Sequence, residues 1–206
     1  MSVYLGSAKL GDIYLGSTRI AQAYLGSTKV YERNSVPIIG SRVVRFGFNW
    51  IMDPSEFSYY QQGGVTITQV SASGGASVYD FDFTNWTYST SYDSVFMASI
   101  LPSSWNASGH TIDIIAIDFS GTSSAINMFK GLQTLKSIGV FYNVGNSLGM
   151  LDDMFNGCIN VSSGIVRAYN SLSAVNPSNH NDTFCNCGSN TTTGRAELAQ
   201  IPYTWK

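Results

Sequence analysis

The sequence predicts a mainly β chain, with short β-hairpin repeats at the N-terminus, a β-rich middle and a C-terminal solenoid of twenty-odd-residue units. Three observations predict it. A ten-residue unit occurs three times in tandem over residues 3–32. Runs in which apolar and polar residues alternate with period two occupy the middle. A Met-Phe pair recurs 26 residues apart in the C-terminal half, and each copy leads into an apolar run. Composition agrees: charged residues are 12% of the 206, about half the usual share. Long surface helices normally carry more Lys and Glu than that allows.

The first element is VYLGSAKLGD, IYLGSTRIAQ, AYLGSTKVYE. Tyr4, Tyr14 and Tyr24 coincide, as do Leu5, Leu15 and Leu25, and each pair is followed by Gly-Ser. Gly supplies a left-handed position and Ser bonds the nearby backbone, so each unit reads as two short extended pieces around a turn. A ten-residue hairpin is marginal alone in water. The expected remedy is association, which makes these six residues the candidate assembly and anchoring positions of a segment covering 1–35. Glu32-Arg33-Asn34-Ser35 before Val36-Pro37 reads as a linker.

The middle, residues 36–95, contains expected strands at 41–50 (SRVVRFGFNW), 65–70 (VTITQV) and 78–83 (VYDFDF). In the last of these Tyr79, Phe81 and Phe83 share one face and Asp80 and Asp82 the other. Met52-Asp53-Pro54-Ser55 is a turn or helix start. Trp50, Tyr59, Tyr60, Trp86, Tyr88 and Tyr92 make the segment aromatic, and sequence leaves open whether they are core or binding surface.

Residues 96–206 hold the second repeat. Met128-Phe129-Lys130-Gly131 recurs as Met154-Phe155-Asn156-Gly157, and a third copy begins near Thr183-Phe184. The apolar runs after these copies are Ser137–Phe141, Gly164–Tyr169 and Ala196–Ile201, with an opening strand at 111–119. A period in the twenties with one strand per unit is the pattern of a leucine-rich-repeat-like solenoid. On that reading Met128, Phe129, Met154, Phe155 and Phe184 are core. Tyr203 and Trp205 are expected to cap the last unit.

Chemistry is sparse. The net charge is −2 with no basic block, so the footprint of nucleic-acid binding is absent. No window reaches the 18 or so apolar residues of a membrane span. The start, MSVYLGSAKLGD, has neither a basic head nor an apolar core, so no secretory leader is expected. Cys158, Cys185 and Cys187 are an odd set with C-x-C spacing, which reads as buried small side chains rather than a disulfide framework or zinc site. His110 and His180 lie in loops, and no G-x-S-x-G, H-E-x-x-H or P-loop accompanies them. The acids Glu56, Asp80, Asp82, Asp93, Asp113, Asp118, Asp152, Asp153 and Glu197 are not paired by sequence for glycoside hydrolysis. No catalytic residue, metal or cofactor is expected.

Two resemblances add to this reading. The tandem YLGST-[KR]-[ILV] units, over residues 3–31, resemble those opening tail, fibre and other virion proteins of phages that infect gut bacteria. The Met-Phe repeats resemble those of BspA-like leucine-rich surface proteins, though Leu132 replaces the Cys after Gly131 and Cys187 lies three residues after Phe184. Together they imply a virion fibre or tail component made in a host bacterial cytoplasm. They further imply a homo-oligomer, a trimer being the common solution for fibres. Its implied partners are other virion proteins and a host-surface glycan or protein, with no nucleic acid and no membrane insertion. A BspA-like bacterial adhesin and a fibre-borne glycan depolymerase are the alternatives. The binding face is not assigned by sequence.

Overall fold

The computed structural model describes the backbone of short strands between residues 4 and 32, and residues 39–87 and 91–206 with their side chains. The chain divides into two units, Met1–Ile38 and Ile39–Lys206. In the first, β1 (Tyr4–Leu5) pairs antiparallel with β2 (Ala8–Lys9), β3 (Tyr14–Leu15) with β4 (Thr18–Arg19), and β5 (Gln22–Leu25) with β6 (Thr28–Glu32). The side chains of Tyr4, Leu5, Tyr14, Leu15, Tyr24 and Leu25 lie outside the described residues.

The second unit is built on one mixed sheet. Its strands are β7 (Val43–Phe48), β8 (Thr66–Ser73), β9 (Ala76–Asp82), β10 (Ile112–Asp118) and β11 (Leu135–Tyr142), in the order β11-β10-β7-β9-β8. Of these strand pairs, only β10 and β11 run parallel. Strands from 36–95 and from 96–206 therefore share one sheet and one core. Alternation puts Val44, Phe46, Phe48, Tyr79, Phe81, Ile112 and Ile114 on the buried face. Three short helices, α1 (Ser58–Gln62), α2 (Ile165–Ser173) and α3 (Thr192–Leu198), complete the unit.

Against the core-facing side of the sheet lies a stack of hydrogen-bonded turns. Phe96, Phe129, Phe155 and Phe184 occupy equivalent places. The N–H of each donates to the next layer, at the carbonyls of Met128 (2.9 Å), Met154, Thr183 and Trp205 (2.8 Å each). Their rings stack with centroids 5.6, 5.2 and 5.5 Å apart and planes within 12°. Trp205 closes the column 6.3 Å beyond Phe184. Two residues before each Phe stands a left-handed residue: Ser94 (φ 56), Asn127 (φ 55), Asp153 (φ 59) and Asp182 (φ 53). Asn and Asp tolerate that region better than most residues. Met128, Phe129, Met154, Phe155 and Phe184 are all wholly buried. Tyr203, expected as a cap with Trp205, is 86% exposed.

The expected mainly β architecture with a C-terminal leucine-rich-repeat-like solenoid is corrected here: the unit is a compact α/β domain with a single five-stranded sheet. The turns repeat but the strands do not. Beyond β11 the parallel pairing continues only as isolated bridges, Ser137 to Ser163 from the sheet and Ser124 to Met150 to Asn179 along the turns. Gly164 then takes φ 94, and a Cβ there would lie 1.9 Å from the Ile138 carbonyl oxygen, so the chain turns off the sheet at that residue. The expected run Gly164–Tyr169 becomes the start of α2, which buries Ile165, Ala168 and Leu172 at helical spacing. The first half of the Ala196–Ile201 run forms the end of α3 and the rest is turn. Glu197 of α3 accepts N–H bonds from Gly164 (3.2 Å) and Val166 (3.1 Å), capping the N-terminus of α2.

The buried carboxylate of Asp118 ties the end of β10 to its surroundings. It accepts the N–H of Arg42 (2.8 Å), the N–H of Ser120 (2.9 Å) and the Asn143 amide (2.5 Å). Burial raises its pKa, but these hydrogen bonds outweigh burial and leave it below the ordinary 3.8. A depressed folded pKa makes this contribution complete above the unfolded value and progressively lost as pH falls through the folded one. Asp118→Asn is expected to cost about 2 kcal/mol at neutral pH, with the gap from wild type narrowing below about pH 4 in denaturant titrations. Phe155→Ala, which removes a ring from the middle of the column, is expected to cost roughly 3–5 kcal/mol by the same measurement.

Candidate functional site

The sheet's aromatic core reaches the surface beside α1. Asp53 accepts the N–H of Ser55 (2.9 Å) and starts a 3₁₀ turn, Pro54–Phe57, that leads directly into α1. Phe57 and Tyr60, three apart, are buried. Their spacing leaves Glu56 and Tyr59 on the outer side, with Tyr59 62% exposed. Tyr60 donates its hydroxyl proton to the Val95 carbonyl (2.5 Å), which pins α1 to the first layer of the stack. Burial, with the neighbouring Tyr59 adding to it, pushes the Tyr60 hydroxyl up to about 12, so it stays a donor across the working pH range.

The opposite wall comes from Ile100, Leu101, Pro102 and Ser103, which come after the first layer and lead into the 3₁₀ turn Ser103–Asn106. That turn buries Trp105 5.2 Å from Phe57. Ser104 donates to the Glu56 carboxylate (2.5 Å) and joins the two walls at one end. Between the walls is a cleft of about 770 Å³. Its lining is mixed, with Ile100, Leu101, Pro102 and the tyrosines beside Glu56 and Ser103, and among the described residues Glu56 is its one charged lining residue. The Tyr59 ring lies in T-shaped contact with Tyr60 (5.7 Å) and Trp86 (6.4 Å), among its neighbours.

The middle aromatics thereby sort themselves. Tyr60 and Tyr92 are core. Trp50 and Trp86 are half-buried, Trp50 stacked on His110 at 4.1 Å. Tyr88 lies outside the described residues. Of these middle aromatics Tyr59 is the exposed one among the described residues, and sequence could not single it out from Tyr60 beside it. Ile100–Ser103 were not indicated by sequence at all, since neither alternation nor a motif marks them.

The groups weighed for catalysis are spread through the fold. His180 stacks on Trp205 (4.3 Å) and His110 contacts the Ser104 carbonyl. Asp80 pairs with Arg45 (2.6 Å), Asp82 accepts the N–H of Thr84, and Asp113 accepts from Ser137. Asp93 accepts the N–H of Ile126 and Asp152 that of Asn181, each bonding the next layer of the stack. Asp153 pairs with Lys130. Among the described residues no three His, Cys, Asp or Glu side chains gather as a metal ion would need. Leu132, Cys158 and Cys187, each three residues after a stacked Phe, form a buried column of their own. Burial pushes the Cys158 thiol up to about 12 and Cys187 well above its ordinary range. Cys185 is only half-buried, unlike the other two.

Comparison with protein-family models, with curated proteins and with solved structures gives no match.

Tyr59→Ala is expected to leave stability within about 0.5 kcal/mol of wild type, whereas Tyr60→Phe is expected to cost about 1 kcal/mol or more by orphaning the Val95 carbonyl; thermal melts of the pair check this. Thiol titration of the native chain is expected to reach Cys185 alone, with Cys158 and Cys187 reacting only on unfolding.

Proposed function

We propose that this chain is a structural and attachment component of a phage virion, of the fibre or tail type. Residues 1–35 serve assembly, and the unit at 39–206 presents a binding surface to a host or to a neighbouring virion protein. The observation that carries the proposal is the threefold YLGS decapeptide with its register-matched Tyr-Leu pairs. The exposed aromatic cleft beside Tyr59 supports a binding role, since concave sites with few convergent polar groups are where ligands ordinarily sit.

The test has two arms. Mass photometry of the full chain is expected to give a homo-oligomer, a trimer on the fibre reading, and a variant lacking residues 1–35 is expected to be monomeric. Antibodies raised against the full chain are expected to decorate particles of the phage that carries the gene. Undecorated particles would remove the proposal, and two monomers in the first arm would move the assembly role to a partner virion protein.

A further inference from the structure

We propose that the cleft between α1 and residues 100–103 is a binding site for a neutral sugar residue of a surface glycan, with Tyr59 as the stacking platform and Glu56 as the hydroxyl acceptor. The inference rests on the attachment reading and names the ligand class of its site.

The chemistry of the walls selects the ligand. Tyr59 lines the cleft at 62% exposure, and its ring packs in T-shaped contact with Tyr60 and Trp86. Such a ring loses little conformational freedom when a ligand covers it. The C–H-lined face of a pyranose is apolar and slightly positive, which complements the negative face of an aromatic ring. Opposite stand the aliphatic side chains of Ile100 and Pro102. The rim at one end supplies the polar contacts that fix orientation. One Glu56 oxygen is engaged by Ser104, and the carboxylate can accept a ligand hydroxyl on the other; Ser103 is exposed beside it. A flat ligand with one greasy face and a hydroxyl edge matches this arrangement.

Charge excludes the alternatives. Among the described residues the lining carries one carboxylate and no cation, so phosphate, sulfate and uronate groups would be repelled and left unpaired. A peptide is commonly bound by adding to a strand edge or by laying a helix in a long apolar groove. This cleft is walled by a five-residue helix and a loop. Its volume of about 770 Å³ lies inside the roughly 300–1,000 Å³ of small-ligand sites.

The experiment is a glycan array probed with the full chain, followed by saturation-transfer NMR on the strongest neutral hit, with trigalacturonate as the anionic control. At least one neutral glycan is expected to bind. Tyr59→Ala is expected to weaken it by roughly tenfold or more, and Glu56→Gln by a smaller factor. Tyr203→Ala, exposed and outside the cleft, is expected to bind as wild type does. Matching thermal melts of the variants keep a folding defect from passing as a binding defect. Three outcomes overturn the proposal: no neutral glycan bound on the array, binding undiminished in Tyr59→Ala, or trigalacturonate bound as well as the neutral hit. Decorated particles together with a blank neutral-glycan array would remove this inference and leave the virion proposal standing. Neutral-glycan binding with undecorated particles would do the reverse.

Discussion

Between successive turns of the stack, every other backbone N–H finds its acceptor on the layer below, and a Phe ring lies face to face with the next. Nearly everything else in the unit depends on that contact. Buried amides away from water need partners, and irregular turns supply few within themselves. Here the N–H groups of Tyr92, Ser94, Phe96 and Ala98 donate to the carbonyls of Ser124, Ile126, Met128 and Lys130, and the pattern repeats onto the layers beyond. Where an N–H points back toward the preceding layer, a carboxylate meets it, as Asp93 meets Ile126 and Asp152 meets Asn181. Removing one layer would strand donors on one neighbour and acceptors on the other.

The cleft inherits its geometry from the first layer. Val95 anchors Tyr60 and so sets the pitch of α1, while the chain leaving that layer at Ala98 becomes the opposite wall. The layer is itself seated on the sheet, because Phe96 packs edge-on against Phe46 (4.8 Å) and Phe81 (5.5 Å) and stacks on Trp105 (5.9 Å). A cleft with one wall tied to a packed layer and the other leaving it is preorganised, and preorganisation lowers the cost of ordering side chains on binding.

Much of the sheet was legible in sequence. Alternation in VVRFGF and VYDFDF marks β7 and β9, because one face of each is largely buried and the other less so, while the apolar 111–119 run marks β10, which is buried on both faces in its second half. The Met-Phe repeat correctly marks buried positions but does not reveal which element each turn leads into. The run after Met154-Phe155 has Ile165, Ala168 and Leu172 at helical spacing, a signal that competes with the rung pattern and prevails once Gly164 leaves the sheet. The first layer escapes detection because Phe96 stands 33 residues before Phe129, against 26 and 29 for the later intervals. Its mark is the left-handed Ser94 two residues ahead, and Ser is a weak flag for that conformation. The cleft is less legible still: Tyr59 and Tyr60 are neighbours of the same type, and only the helical phase set by Phe57 sends one outward and the other in.

The central claim is that the turns and the sheet form one cooperative unit through the aromatic column. Native-state hydrogen exchange of the full chain tests it most directly, comparing the amides of Phe96, Phe129, Phe155 and Phe184 with that of Phe46 in β7. The account predicts that all five exchange only through the same global opening, with equal free energies. Exchange of Phe155 and Phe184 through a separate opening of much lower free energy would contradict it, and would make the outer layers an appendage rather than the support of the fold.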